Sequence, residues 1–88
     1  MQADVRVRVT VRFFAAARAA AGTETEMIDL PPGTTIAELI DSLKARHAGL
    51  AHVLARCSYL CDGIAVRDTA NALGDAQTVD VLPPFAGG

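Results

Sequence analysis

The 88-residue chain is long enough for one domain with a small core, and too short to enclose a large active site of its own. Net charge is −2, with 20% charged and 51% apolar residues; this excludes a disordered chain and argues against a nucleic-acid binder, which carries a basic surplus. What these bounds favour is a small soluble module that acts together with a partner.

Val5, Val7, Val9, Val11 and Phe13 alternate with Arg6, Arg8, Thr10 and Arg12. A period of two predicts a half-buried strand whose arginine face is solvated. Phe14 breaks the alternation and falls on the arginine side. Ala15–Ala21 is alanine-rich and closed by Gly22, which predicts a short helix, since alanine is the best helix former and glycine the usual residue past a helix end. Glu24–Leu30 reads as a second strand with Ile28 and Leu30 inward and Met27 on the opposite face; Pro31-Pro32-Gly33 stops it.

Thr35 and Glu38 have the spacing of a capping box, in which each side chain satisfies a free backbone N–H. Ile36, Leu39, Ile40 and Leu43 then form one apolar stripe, which predicts an amphipathic helix ending before Gly49. Leu50, Val53, Leu54 and Cys57 repeat the helical spacing over a shorter stretch. Ser58–Cys61 and Ile64–Val66 flank Asp62-Gly63, a hairpin turn pair. Gln77–Leu82 is the last strand, with Val79 and Val81 inward and Thr78, Asp80 and Leu82 outward. This order fits an α+β, ubiquitin-like β-grasp domain over residues 1–82, a mixed sheet crossed by one main helix. The fold, not the periodicity, implies that the first and last strands pair in parallel at its centre.

No run approaches the roughly 18 apolar residues of a membrane helix, and Asp4, Arg6, Arg8 and Arg12 interrupt any signal-peptide core, so a cytoplasmic protein without a membrane partner is expected. Cys57 and Cys61, if extended, lie about 13 Å apart, beyond disulfide reach, and are expected as reduced thiols. Together with His47 and His52 they match no standard zinc spacing, so no metal site is expected, and both histidines are read as helix-surface residues.

The last strand runs into Pro83-Pro84-Phe85-Ala86-Gly87-Gly88. Two prolines stop ladder bonding and favour an extended chain, and six extended residues reach about 20 Å. Gly-Gly has no Cβ to block a narrow channel or hinder attack at the last carbonyl carbon. A free carboxylate is a poor acyl donor, whereas an acyl-adenylate made with ATP has a good leaving group that a sulfur nucleophile can displace. The tail, residues 83–88, thus has the construction of a carried substrate inserted into other proteins' active sites.

Phe13-Phe14-Ala15, Arg18, the run Arg56-Cys57-Ser58-Tyr59-Leu60 and the ending Asp80-Val81-Leu82-Pro83-Pro84-Phe85-Ala86-Gly87-Gly88 resemble the MoaD family, the small sulfur-carrier subunits of molybdopterin synthase, and most of all its actinobacterial members. The resemblance runs from about Val5 to Gly88. It implies that Gly88 is adenylated by an E1-like enzyme of the MoeB type, converted to a thiocarboxylate by a sulfur donor protein, and inserted into the large subunit, MoaE, to deliver sulfur to cyclic pyranopterin monophosphate. It further implies an assembly of two small and two large subunits, with acid–base groups on the large one, no cofactor bound by the small one, and ATP used only by the activating enzyme. Gly87, Ala86, Phe85, Pro84 and Pro83 would line the partner's channel. Phe14 and Leu82, on neighbouring strands and off the core face, would form an apolar patch for the partner, with Arg18 nearby. Cys61-Asp62-Gly63 departs from the Asn-Gly turn common in relatives, but Asp-Gly serves the same turn. Three other uses stay open: a carrier for thiamine or cysteine synthesis, a ubiquitin-like modifier joined to lysines through Gly88, and a non-covalent binding module.

Overall fold

A computed structural model describes residues 6–84. Strand β1 (Val7–Phe13) leads through helix α1 (Ala15–Ala21) into β2 (Thr25–Leu30); α2 (Ile36–Arg46) and α3 (Leu50–Leu54) follow, then the hairpin β3 (Ser58–Cys61) and β4 (Ile64–Ala65), and finally β5 (Thr78–Leu82). The five strands form one mixed sheet in the order β2-β1-β5-β3-β4. β1 and β5 pair in parallel at its centre, with Val11 opposite Val79 and Phe13 opposite Val81, while the remaining pairs are antiparallel. This is the ubiquitin-like β-grasp arrangement.

Alternation along β1 decides which face is covered. Val9, Val11, Phe13, Val79 and Val81 turn to the side of the helices, where Leu39, Leu43, Leu50 and Leu54 complete a dry core. α2 takes its place through a full capping box: the Thr35 hydroxyl accepts from the Glu38 N–H, and the Glu38 carboxylate accepts from the Thr35 N–H at 2.9 Å. α1 ends at Gly22, whose φ of 77° is left-handed and costs a glycine little. Its first residue, Ala15, is also left-handed at φ 50°, a conformation that costs an L-residue about 1–2 kcal/mol. The chain accepts that strain where it leaves the central strand for the helix. In the β3–β4 hairpin, Asp62 and Gly63 both take positive φ, as a primed turn requires.

Two expectations needed correction. Arg8 and Arg12 are not simply solvated: Arg8 pairs with Asp29 and Arg12 with Asp80, because β2 and β5 bring carboxylates beside them on the same face. His47 is not a free helix-surface residue. It is the C-cap of α2, half-buried, with Nε2 2.9 Å from Glu26 Oε1 and its ring edge-on to Phe13, the centroids 6.1 Å apart. Arg46 joins the same Glu26 carboxylate. The strand bounds also tighten, from Glu24 to Thr25 in β2 and from Gln77 to Thr78 in β5.

Candidate functional site

Of the expected site residues, Phe14, Arg18, Leu82, Pro83 and Pro84 fall among the described residues, near the ends of β1 and β5. Phe14 is the N-cap of α1, still extended, and its N–H donates to the Val81 carbonyl at 3.2 Å. The parallel register ends at the Phe13–Val81 pair, and Phe14 and Leu82 are the next residues along the two chains. Phe14 is exposed and Leu82 half-buried. Arg18 lies one turn into α1, exposed, with its guanidinium 3.4 Å from Glu24. Arg12, Phe14, Arg18 and Glu24, with Phe13, Ala15 and Thr25, line a notch of about 240 Å³.

Pro83 and Pro84 follow at once. They leave the ladder because proline has no N–H to donate, and Pro84 is exposed. With Ala16 of α1, His52 and Val53 of α3, and Arg56, they line a second, shallow and largely apolar recess of about 230 Å³. The root of the tail therefore borders the same recess as α1 and α3. Phe85, Ala86, Gly87 and Gly88 lie outside the described residues.

Neither cysteine is built as a sulfur nucleophile. Burial pushes the Cys57 thiol up from its ordinary value, and its Sγ donates to the Val53 carbonyl; Cys61 is raised by burial and then by Asp62. A thiol with a raised pKa is poorly ionised at neutral pH and therefore a weak nucleophile. Among the described residues, no group of three or more His, Cys, Asp or Glu side chains is arranged to hold a metal, and no helix is long and apolar enough to cross a membrane.

The sequence reading missed one element of this end of the molecule. Arg12 grips Asp80 with two parallel bonds, Nε to Oδ1 at 2.6 Å and Nη2 to Oδ2 at 2.8 Å, and its Cζ sits 5.6 Å from the Phe14 ring centroid. Alternation places both charges on the uncovered face, but only the parallel register makes them neighbours.

The family model described as ThiS family matches residues 11–88, nearly the whole chain. The molybdopterin synthase sulfur carrier subunit of Chlamydomonas reinhardtii is 29% identical over 83 residues, covering 93% of this chain and all of that protein. Among solved structures, a putative molybdopterin converting factor subunit 1 from Pyrococcus furiosus superposes with a TM-score of 0.82 at 31% identity, over 90% of this chain and 99% of the other. SAMP1 from Haloferax volcanii superposes equally well, with a TM-score of 0.82 over 92% and 99% of the two chains, but at 22% identity, which speaks for the fold alone.

Proposed function

The chain belongs to the ThiS family, and from that premise we propose that it is the sulfur-carrying small subunit of a molybdopterin synthase. The observation that carries this reading is the route of the chain at its end. The central strand β5 runs into Pro83-Pro84, half-buried and then exposed, and the sequence continues through Phe85 and Ala86 to Gly87-Gly88. The similarity to the sulfur carrier of Chlamydomonas reinhardtii supports it.

In this reading residues 1–82 are a handle and residues 83–88 the reacting part. The Gly88 carboxylate attacks the α-phosphate of ATP on an E1-like adenylyltransferase and expels pyrophosphate. Sulfide-level sulfur released by a sulfur donor protein then attacks the acyl carbon and expels AMP, leaving a thiocarboxylate. Pro83, Pro84, Phe85, Ala86 and Gly87 thread the tail into the large subunit, where the sulfur passes to cyclic pyranopterin monophosphate. Each dithiolene needs two sulfurs, so two charged carriers serve each product, in keeping with a 2:2 assembly. The small subunit binds no cofactor and supplies no acid or base; it presents the acyl group on an end without side chains. Phe14, Leu82 and Arg18 form the surface by which it is held.

Mixing the thiocarboxylated protein with the large subunit and the pterin precursor tests this. Molybdopterin is expected. Its absence, with the thiocarboxylate intact, would contradict the reading; high-mass conjugates lost on deleting Gly87-Gly88 would point instead to a protein modifier.

A further inference from the structure

The uncovered face of a β-grasp sheet has no helix to exclude water, yet Asp80 in its middle is only 6% exposed. What covers it is Arg12. The guanidinium is planar, so fixing Nε and Nη2 on Asp80 also fixes the direction of its remaining edge. Half of the Arg12 side chain stays exposed, and Nη1 has no hydrogen-bond partner among the described residues. Arg12 lines the notch beside Phe14, together with Arg18. The anion already there, Glu24, is 70% exposed and meets Arg18 only at 3.4 Å, an arrangement an incoming group can displace.

We propose that Arg12 is a specificity-determining docking residue, which receives a carboxylate of the protein bound at the Phe14–Leu82 end of the sheet, and that Asp80 is the positioning residue that aims it. The proposal rests on the reading of that end as the surface held by the large subunit. Two arginines line one small notch, and an apolar ring stands beside Arg12; the fitting partner surface is an acidic side chain next to a socket for Phe14. Arg12 is already paired with Asp80, so the charge of a second carboxylate on its outer edge is balanced by Arg18, which can leave the exposed Glu24. A partner with a lysine or arginine at that position is rejected, which gives this carrier a way to discriminate among large subunits and activating enzymes that share a tail channel.

The test measures the Kd of the full chain for its large subunit at low and at high salt, with a thermal melt of each variant. Phe14→Ala and Arg12→Gln are each expected to weaken binding about tenfold or more, and Arg12→Gln to flatten the salt dependence. Asp80→Asn is expected to weaken binding about threefold while the salt dependence persists, because the cation remains but its aim is lost. If Arg12→Gln melts below the assay temperature, Arg12→Lys, which keeps the charge without the fork, is expected to show the same threefold loss. Unchanged Kd and salt dependence in Arg12→Gln, or in Arg12→Lys where it replaces it, with binding lost in Phe14→Ala, would overturn the role of Arg12 alone. Unchanged binding in both would overturn the docking face as well.

Discussion

The two faces of this sheet distribute their polar groups in opposite ways. On the covered face the centre is dry, built from Val9, Val11, Phe13, Val79 and Val81, and the polar groups stand at its rims: Glu26 with His47 and Arg46 at one side, and the Tyr59 hydroxyl donating to the Leu54 carbonyl at the other. On the uncovered face the centre itself is ionic, with Asp80 buried beneath Arg12, and the apolar group, Phe14, stands at the end. The same strands supply both faces with a period of two. One face carries the dry core of the domain, and the other is the one on which we place recognition.

That contrast is broken most sharply by placing a charge at adjacent positions of β1. Val11→Asp puts an unpaired carboxylate in the dry centre and is expected to cost about 4 kcal/mol or more, enough to unfold a domain of this size. Thr10→Asp, on the other face, is expected to stay within about 1 kcal/mol. Urea titrations of the two variants measure the difference; similar losses would mean that the faces are not distinct.

The centre of the uncovered face tests the same idea in reverse. Asp80→Asn removes a charge that Arg12 holds, and is expected to lower stability by about 1 kcal/mol, a charged hydrogen bond discounted for the half-exposed arginine. A gain in stability would show that the pair is a net cost to the fold.

The rims sharpen the picture through pH. Burial first, and then the nearby Cys57, push the Tyr59 hydroxyl up to about 12 from an ordinary 10. The proton is thus held more tightly in the folded chain, so this contribution is complete below pH 10 and is lost as pH rises through about 12. Tyr59→Phe is expected to cost about 1 kcal/mol at neutral pH and to remove that part of the alkaline loss. Burial alone would raise the Glu26 carboxyl; hydrogen bonds from His47 and Arg46 outweigh it and hold the group below its ordinary 4.5. Its contribution is therefore present above pH 4.5 and disappears as pH falls through the lowered value. Glu26→Gln is expected to show the smallest effect, a shallower acid limb in melting temperature against pH.

Much of this was legible along the chain. The valine alternation of β1, the Thr35–Glu38 capping box, Gly22 as a helix stop and Asp62-Gly63 as a turn are local signals, carried by residues a few positions apart. The parallel pairing of β1 with β5 came from the fold alone, since periodicity gives a strand's face and not its neighbour. The pairs that were missed depend on such neighbours. Arg12 meets Asp80 across 68 positions and His47 meets Glu26 across 21, so nothing in the local pattern distinguishes a gripped arginine from a solvated one. At the site, Phe14 and Leu82 were legible because both break or follow the alternation on the off-core side. The notch that joins Arg12 to Arg18 was not, because it forms only where left-handed Ala15 turns α1 back beside the strand end.

Intact mass spectrometry of the protein isolated from its own cells bears most directly on the account as a whole. Replacement of one oxygen by sulfur at Gly88 predicts a population heavier by about 16 Da, absent when one residue is added after Gly88. The unmodified mass alone, in cells actively making molybdopterin and with full function retained by the extended chain, would contradict a carrier that works through its last residue.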